Sequence, residues 1–221
     1  MNRRTVRTAG WAGMICMLIF ALSGCNLGSV INSAPAGQSS GGHGFFRFYD
    51  DFPLGRPVDF QAFKDRYQTV GASPEGAVRM YFDAVYSYID PKRNAEGAKM
   101  LRYSLHERQG WENFPSQQTF VSRLKNPSYH HIFRSYAEGT SPENSYAMDP
   151  DNYRLMFENA QQMADFVRVS IRSTGADSAR GVRVQQFEDG LWYVTECSST
   201  YVEVRQPANQ RRTGGHDADR D

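Results

Sequence analysis

Residues 166–206 read FVRVSIRS (166–173), TGADSAR (174–180), GVRVQQFE (181–188), DG (189–190), LWYVTEC (191–197), SS (198–199) and TYVEVRQ (200–206). The first block alternates, with Val167, Val169 and Ile171 on one face and Arg168, Ser170 and Arg172 on the other. A period of two marks a half-buried strand. A polar turn follows, then a second strand over 181–188. Asp189-Gly190 is the two-residue signal of a type I′ hairpin turn, in which both central residues take positive φ. That turn predicts a returning strand over 191–197, with Phe187 opposite Trp192 and Val184 opposite Thr195. Residues 200–206 read as a last strand, ended by Pro207. Three or four consecutive antiparallel strands thus form the framework that the rest of the chain must cover.

Helices come before it. Residues 73–89 (SPEGAVRMYFDAVYSYI) carry the clearest signal. Ser73 suits the N-cap, Pro74 the first helical position and Glu75 the positive end of the helix dipole. Val78, Tyr81, Phe82, Val85 and Ile89 make one apolar stripe, and Pro91 ends the helix. Residues 94–105 predict a second helix through Ala98, Leu101 and Leu105, and residues 116–125 a third through Phe120, Val121 and Leu124. Upstream, residues 45–71 are dense in aromatics, with Phe60, Phe63 and Tyr67 at helical spacing after Pro57. Such a segment is either an arm packed on its own domain or one that meets a partner or dips into a membrane. Asn126-Pro127 is a breaker. Residues 129–138 and 153–158 read as strands around a turn-rich loop at 139–152, and residues 159–164 as a short helix or a continuing strand. Helices first and strands after predict an α+β class, with N-terminal helices packed on a curved antiparallel sheet.

The N-terminus reads as an address. Arg3, Arg4 and Arg7 precede a stretch at 11–22 that is too short to span a bilayer of ~30 Å. It ends in Leu22-Ser23-Gly24-Cys25. This resembles the lipobox of bacterial lipoproteins: an aliphatic residue, two small ones, then cysteine. The resemblance implies cleavage between Gly24 and Cys25 and acylation of Cys25; the bland alternative is an ordinary secretory signal with a chance cysteine. Two or more acyl chains give stable anchoring where one is marginal. Asn26 follows the cysteine, where enterobacterial lipoproteins held at the inner membrane carry Asp. The expected location is the outer membrane of a Gram-negative host, and otherwise the cell surface. Residues 25–44 then form the acylated cysteine and a Gly/Ser-rich tether, spanning roughly 20–25 Å as a random coil. Residues 45–72 form the aromatic-rich arm, 73–207 the domain and 208–221 a polar tail expected to be disordered.

The signal removes three of the 25 Lys+Arg and none of the 24 Asp+Glu, so the balance shifts from +1 to −2. A near-neutral chain without a basic run argues against nucleic acid as a partner. With Cys16 cleaved off and Cys25 acylated, Cys197 has no cysteine to pair with. It lies in phase with Leu191 and Tyr193, which predicts a buried, inert thiol.

The order of elements, Ser73-Pro74-Glu75 at the head of the first long helix, and the Val182, Val184, Asp189-Gly190, Trp192, Val194 hairpin resemble the nuclear transport factor two-like superfamily, whose domain is a cone-shaped α+β fold. Residues 175–180 (GADSAR), the Trp192 hairpin and Ser198-Ser199 are similar to a bacterial domain family of unknown function. Enzymes of the superfamily, such as ketosteroid isomerases and scytalone dehydratases, place Tyr, Asp or His inside the cone. The candidates here are Tyr81, His131 and Tyr136, although no family motif maps a catalytic residue onto them. His130 and His131 are adjacent, so on a strand only one could enter a pocket. Asp177 and Arg180 are either a polar rim that meets a ligand or a structural turn. Asp149, Asp151 and Asn152 lack the spacing of a calcium loop and suit a turn. No HExxH, paired CxxC, phosphate loop or nucleophile elbow occurs, so neither a metal nor a cofactor is expected.

Two readings follow. In the first, a small apolar ligand or substrate occupies the cone between the Val78/Tyr81/Phe82 helix and the sheet. In the second, the aromatics fill the cone, and an exposed sheet face or arm meets an envelope protein or a second copy. The residues lean to the second, a non-catalytic module.

Overall fold

A computed structural model describes residues 48–210. The signal, Gly24, Cys25, the tether and the last eleven residues lie outside the described residues.

Helix α1 (Phe60–Val70) begins where the Asp59 carboxylate accepts from Ala62 N–H at 2.8 Å. Helix α2 (Pro74–Tyr88) begins where Ser73 accepts from Gly76 N–H at 3.1 Å, with Pro74 in the first turn. Every residue from Gly76 through Tyr88 is buried. This helix is therefore the central rod of the domain, closed in on all sides. Helix α3 (Asn94–Ser104) crosses its end at close range. A Cβ on Gly97 would stand 2.3 Å from the backbone nitrogen of Tyr88, so only glycine allows this approach. Helices α4 (Gln118–Lys125) and α5 (His130–Arg134) complete the helical layer.

The sheet runs β1 (Phe48–Tyr49), β2 (Met156–Gln162), β3 (Val167–Ile171), β4 (Arg180–Gln186) and β5 (Trp192–Glu196). Its spatial order is its chain order, and every neighbouring pair is antiparallel. The molecule is thus an α+β fold with helices packed on an antiparallel sheet, and the sheet is open rather than closed into a barrel. Register shifts lie between Phe157 and Asn159 on β2 and opposite Arg183 and Val184 on β5. Such bulges bend a sheet. The second leaves Thr195, which is exposed, as the extra residue on β5.

Several expectations change. Residues 129–138 are not a strand: a 3-10 turn (Pro127–Tyr129) feeds α5. Pro127 sits in its first turn and the Asn126 side chain accepts from Ser128 N–H at 3.0 Å, so the dipeptide that looked like a breaker is a cap. His130 and His131 consequently do not point to opposite faces, and both are buried. Residues 200–206 do not form a strand either. Thr200 Oγ1 donates to the Cys197 carbonyl at 2.7 Å and closes a 3-10 turn (Ser198–Tyr201), a local bond that competes with a ladder. Finally, Phe187 pairs with Leu191, and Gln186 rather than Phe187 faces Trp192. Gly190 N–H donates to Phe187 O at 2.9 Å and Phe187 N–H to Leu191 O at 3.0 Å. Within this turn only Gly190 has positive φ, at +79°. This is a three-residue loop with a glycine bulge, not a two-residue type I′ turn.

Candidate functional site

The interior of the domain is occupied. Tyr81 is wholly buried and its hydroxyl lies 2.9 Å from Thr200 Oγ1. Since Thr200 donates to Cys197 O, Tyr81 is the donor. Tyr136 donates to Ser199 O at 3.4 Å. The Phe82 ring sits between them, with centroids 5.1 Å from Tyr81 and 5.0 Å from Tyr136. Burial pushes the Cys197 thiol up to about 12, so at neutral pH it is a packed thiol and not a nucleophile. Tyr81 and Tyr136 are thus brought together, but around a phenyl ring. His131 is elsewhere, on α5, 5.9 Å from the Tyr146 ring in a second small core with Ile132, Ala176 and Val204. Its Nδ1 bonds to Ser128 O at 2.8 Å and its Nε2 has no partner among the described residues. Burial holds the pKa of both His130 and His131 below the ordinary value.

In the turn before β4, Asp177 and Arg180 do not pair. The Asp177 side chain is fully exposed and stands 3.6 Å from Arg205. Arg180 opens β4, and its Nε is buried without a hydrogen-bond partner among the described residues. Asp149 accepts from Asp151 N–H at 2.9 Å, as a turn requires. Asp151 in addition grips Arg56 through two bonds of 2.9 and 3.2 Å.

That grip belongs to a network unforeseen in the sequence reading. Arg79 and Asp83 lie one turn apart on α2, both buried, 3.3 Å from each other. Arg79 Nη1 donates to Asp50 at 2.7 Å, and its guanidinium lies 4.1 Å from the centre of the Tyr153 ring. Tyr153 donates to Asp83 at 2.7 Å. Asp50 also accepts from Leu155 N–H, while Arg154 and Arg66 reach the arm carbonyls of Asp50 and Gly55. Burial raises the pKa of Asp50 and Asp83, and their arginine partners oppose it. The arm at 48–58 is therefore pinned by charge, with Phe52 only partly buried. Arg79 and Asp83 at i, i+4 were visible in the sequence as a pair. Their burial was not, because Asp50 and Tyr153 come from distant segments.

An open groove of about 490 Å3 lies between α1, the end of α3 and the β4–β5 hairpin. Aromatic rings line it. Tyr103 stands 5.9 Å from Phe60 and 5.7 Å from Tyr193 between ring centres. Tyr193 donates to Asp189 Oδ2 at 2.7 Å, and the other oxygen of Asp189 accepts from Leu191 N–H at 3.0 Å. The end of α3 explains the position of His106. Glu107 N–H donates to Arg102 O and His106 N–H to Tyr103 O, each at 3.0 Å, which is a Schellman motif. Its left-handed position belongs by preference to glycine, yet here it holds His106 at φ +50°. The cost is on the order of 1 kcal/mol. In exchange the imidazole stacks on Phe187 at 3.9 Å and meets Tyr193 edge-on at 4.8 Å. Strain kept at a concave aromatic surface points to a site. Arg102 and Arg108 complete the rim; neither has an ion-pair or hydrogen-bonded side-chain partner among the described residues, though Arg108 lies over Phe114 at 4.7 Å.

Among the described residues no helix is long and apolar enough to cross a membrane, and no three His, Cys, Asp or Glu side chains are placed to hold a metal ion. No curated protein and no solved structure matches the chain. One family profile does, covering residues 56–208, from the Arg56 anchor through all of β2 to β5. The chain belongs to the family of that profile, a domain of unknown function (DUF6935).

Proposed function

We propose that this chain is an exported lipoprotein, acylated at Cys25, whose single α+β domain is a binding module that does no chemistry. It holds a small ligand or another envelope protein. The signal and lipobox residues 1–25 support the anchoring. The observation that carries the binding reading is the filled interior. Tyr81, Phe82 and Tyr136 occupy the space where a cone enzyme would place substrate, and both hydroxyls are spent on Thr200 and Ser199. A ligand inside would have to displace packed rings, at a cost of several kcal/mol. Ligands and partners are therefore expected on outer surfaces.

Two experiments test this. Metabolic labelling with palmitate marks the wild-type chain and leaves a Cys25→Ser variant unlabelled; equal labelling refutes the anchor. Native mass spectrometry of the chain from residue 26, purified from the envelope without refolding, then reads the binding. An attached protein, a second copy or a small mass that departs in mild denaturant supports a module. Turnover of a co-purified compound would overturn it.

A further inference from the structure

We propose that the groove between α1, the end of α3 and the β4–β5 hairpin binds a planar aromatic ring carrying an anionic group, the ring against Phe60 and Tyr103 and the anion at Arg102 and Arg108. This deepens the reading of the domain as a binding module and rests on it.

Three features converge at the groove. Phe60 and Tyr103 are only partly buried and His106 is exposed, so their rings offer a wall that suits a flat, apolar guest, with the buried Tyr193 stacked on Tyr67 beneath them. Two guanidiniums stand at the rim without a carboxylate of their own. Planar forks of this kind meet carboxylates and phosphates through paired hydrogen bonds. The two carboxylates of the groove differ in role. Asp189 is engaged on both oxygens, by Tyr193 and Leu191. Glu107 lines the same rim and opposes an anion there. A neutral ring would leave the guanidiniums unused, and an anion alone would leave the rings unused. The third feature is His106, which keeps its left-handed backbone where glycine would relieve it, and whose ring closes one wall. The site is distinct from the interior around Tyr81 and Tyr136, and shares no residue with it.

The test uses the mature chain, residues 25–221 with Cys25→Ser, and three probes: phenyl phosphate, phenol and inorganic phosphate. Binding is followed by NMR shifts of the Tyr103, His106 and Tyr193 ring signals. Phenyl phosphate should saturate these shifts and bind roughly tenfold or more tightly than either half-molecule. Replacing Arg102 and Arg108 by Gln should cut phenyl phosphate binding roughly tenfold or more and leave phenol unchanged, which also shows that the groove is intact. Glu107→Gln should tighten phenyl phosphate by about two- to fivefold. Equal binding of phenyl phosphate and inorganic phosphate overturns the proposal, as do shifts that map elsewhere or fail to saturate. Such a result leaves palmitate labelling and the native mass untouched, so the groove can fail while the binding module stands.

Discussion

Asp50→Ala is the sharpest probe of how the arm is held. The Asp50 side chain is fully buried and faces the buried guanidinium of Arg79 at 2.7 Å. Removing it deletes one charge-assisted bond and leaves Leu155 N–H without its carboxylate acceptor. Breaking a buried ion pair by removing one partner costs about 3–5 kcal/mol. Arg79 keeps Asp83 at 3.3 Å, so its charge is not abandoned. That places the loss at the low end, about 3 kcal/mol, or roughly 10 °C in Tm for a domain of this size. Arg79→Met is worse, about 4–5 kcal/mol, because it takes the nearest guanidinium from two buried carboxylates at once. The double variant should then lose less than the two losses combined, by roughly 2 kcal/mol. Urea unfolding of the Cys25→Ser mature chain measures all of these. Val58→Ser on the same arm is the control; that side chain is 71% exposed and should change stability by less than about 0.5 kcal/mol. A loss below about 1 kcal/mol for Asp50→Ala, or strict additivity, would refute the claim that charge pins the arm.

Three further outcomes are expected. His106→Gly should be more stable than His106→Ala by about 1 kcal/mol in the same unfolding assay, since both lose the ring but only Ala retains the left-handed strain; equal stabilities would remove the strain from the account. Gly97→Ala should cost about 3 kcal/mol, because the new methyl overlaps the Tyr88 backbone, and a neutral result would show that α2 and α3 are less closely crossed. Burial lowers the folded pKa of His130 and His131 below the unfolded value of about 6.5, so their contribution to stability is full above that pH and is lost as pH falls through the folded values. The urea midpoint should therefore drop on acidification below about pH 6.5, and the His130→Gln, His131→Gln double variant should flatten that slope.

Much of the architecture could be read from particular residues. Ser73-Pro74-Glu75 marks the start of α2 by cap chemistry that needs no partner. Val167, Val169 and Ile171 declare β3, and all three are buried. The hairpin at Asp189-Gly190 was legible but its register was not. Two different turns use that dipeptide, a two-residue loop with positive φ at Asp189 and Gly190 and a three-residue loop with positive φ at Gly190 alone, and composition does not encode which forms. Residues 130–134 were misread because a run of buried residues fits a core strand and a short buried helix equally. The groove was harder still. His106 sits where the pattern calls for glycine, and a Schellman motif without glycine leaves no sequence signature. Asp50, Arg79, Asp83 and Tyr153 meet only after the arm, α2 and the segment before β2 have come together.

The pairing of β1 with β2 has a consequence for the order of folding. From β2 to β5 each strand pairs with its predecessor across a short connection, and those contacts close small loops. Phe48 instead pairs with Phe157, so the arm must wait for more than half the chain to be made. Once the arm meets Leu155, closing that large loop costs little more than closing a moderate one, because the entropy grows only with the logarithm of length. The arm should then be the last element to dock and the first to open. Opening exposes Asp50 and Arg79 to water without dismantling the hairpins, and amide exchange at Asp50 and Leu155 should outpace that of Val169 and Val182. On the proposal that the chain is exported and acylated at Cys25, the segment nearest the anchor would therefore mature after the strands that emerge later.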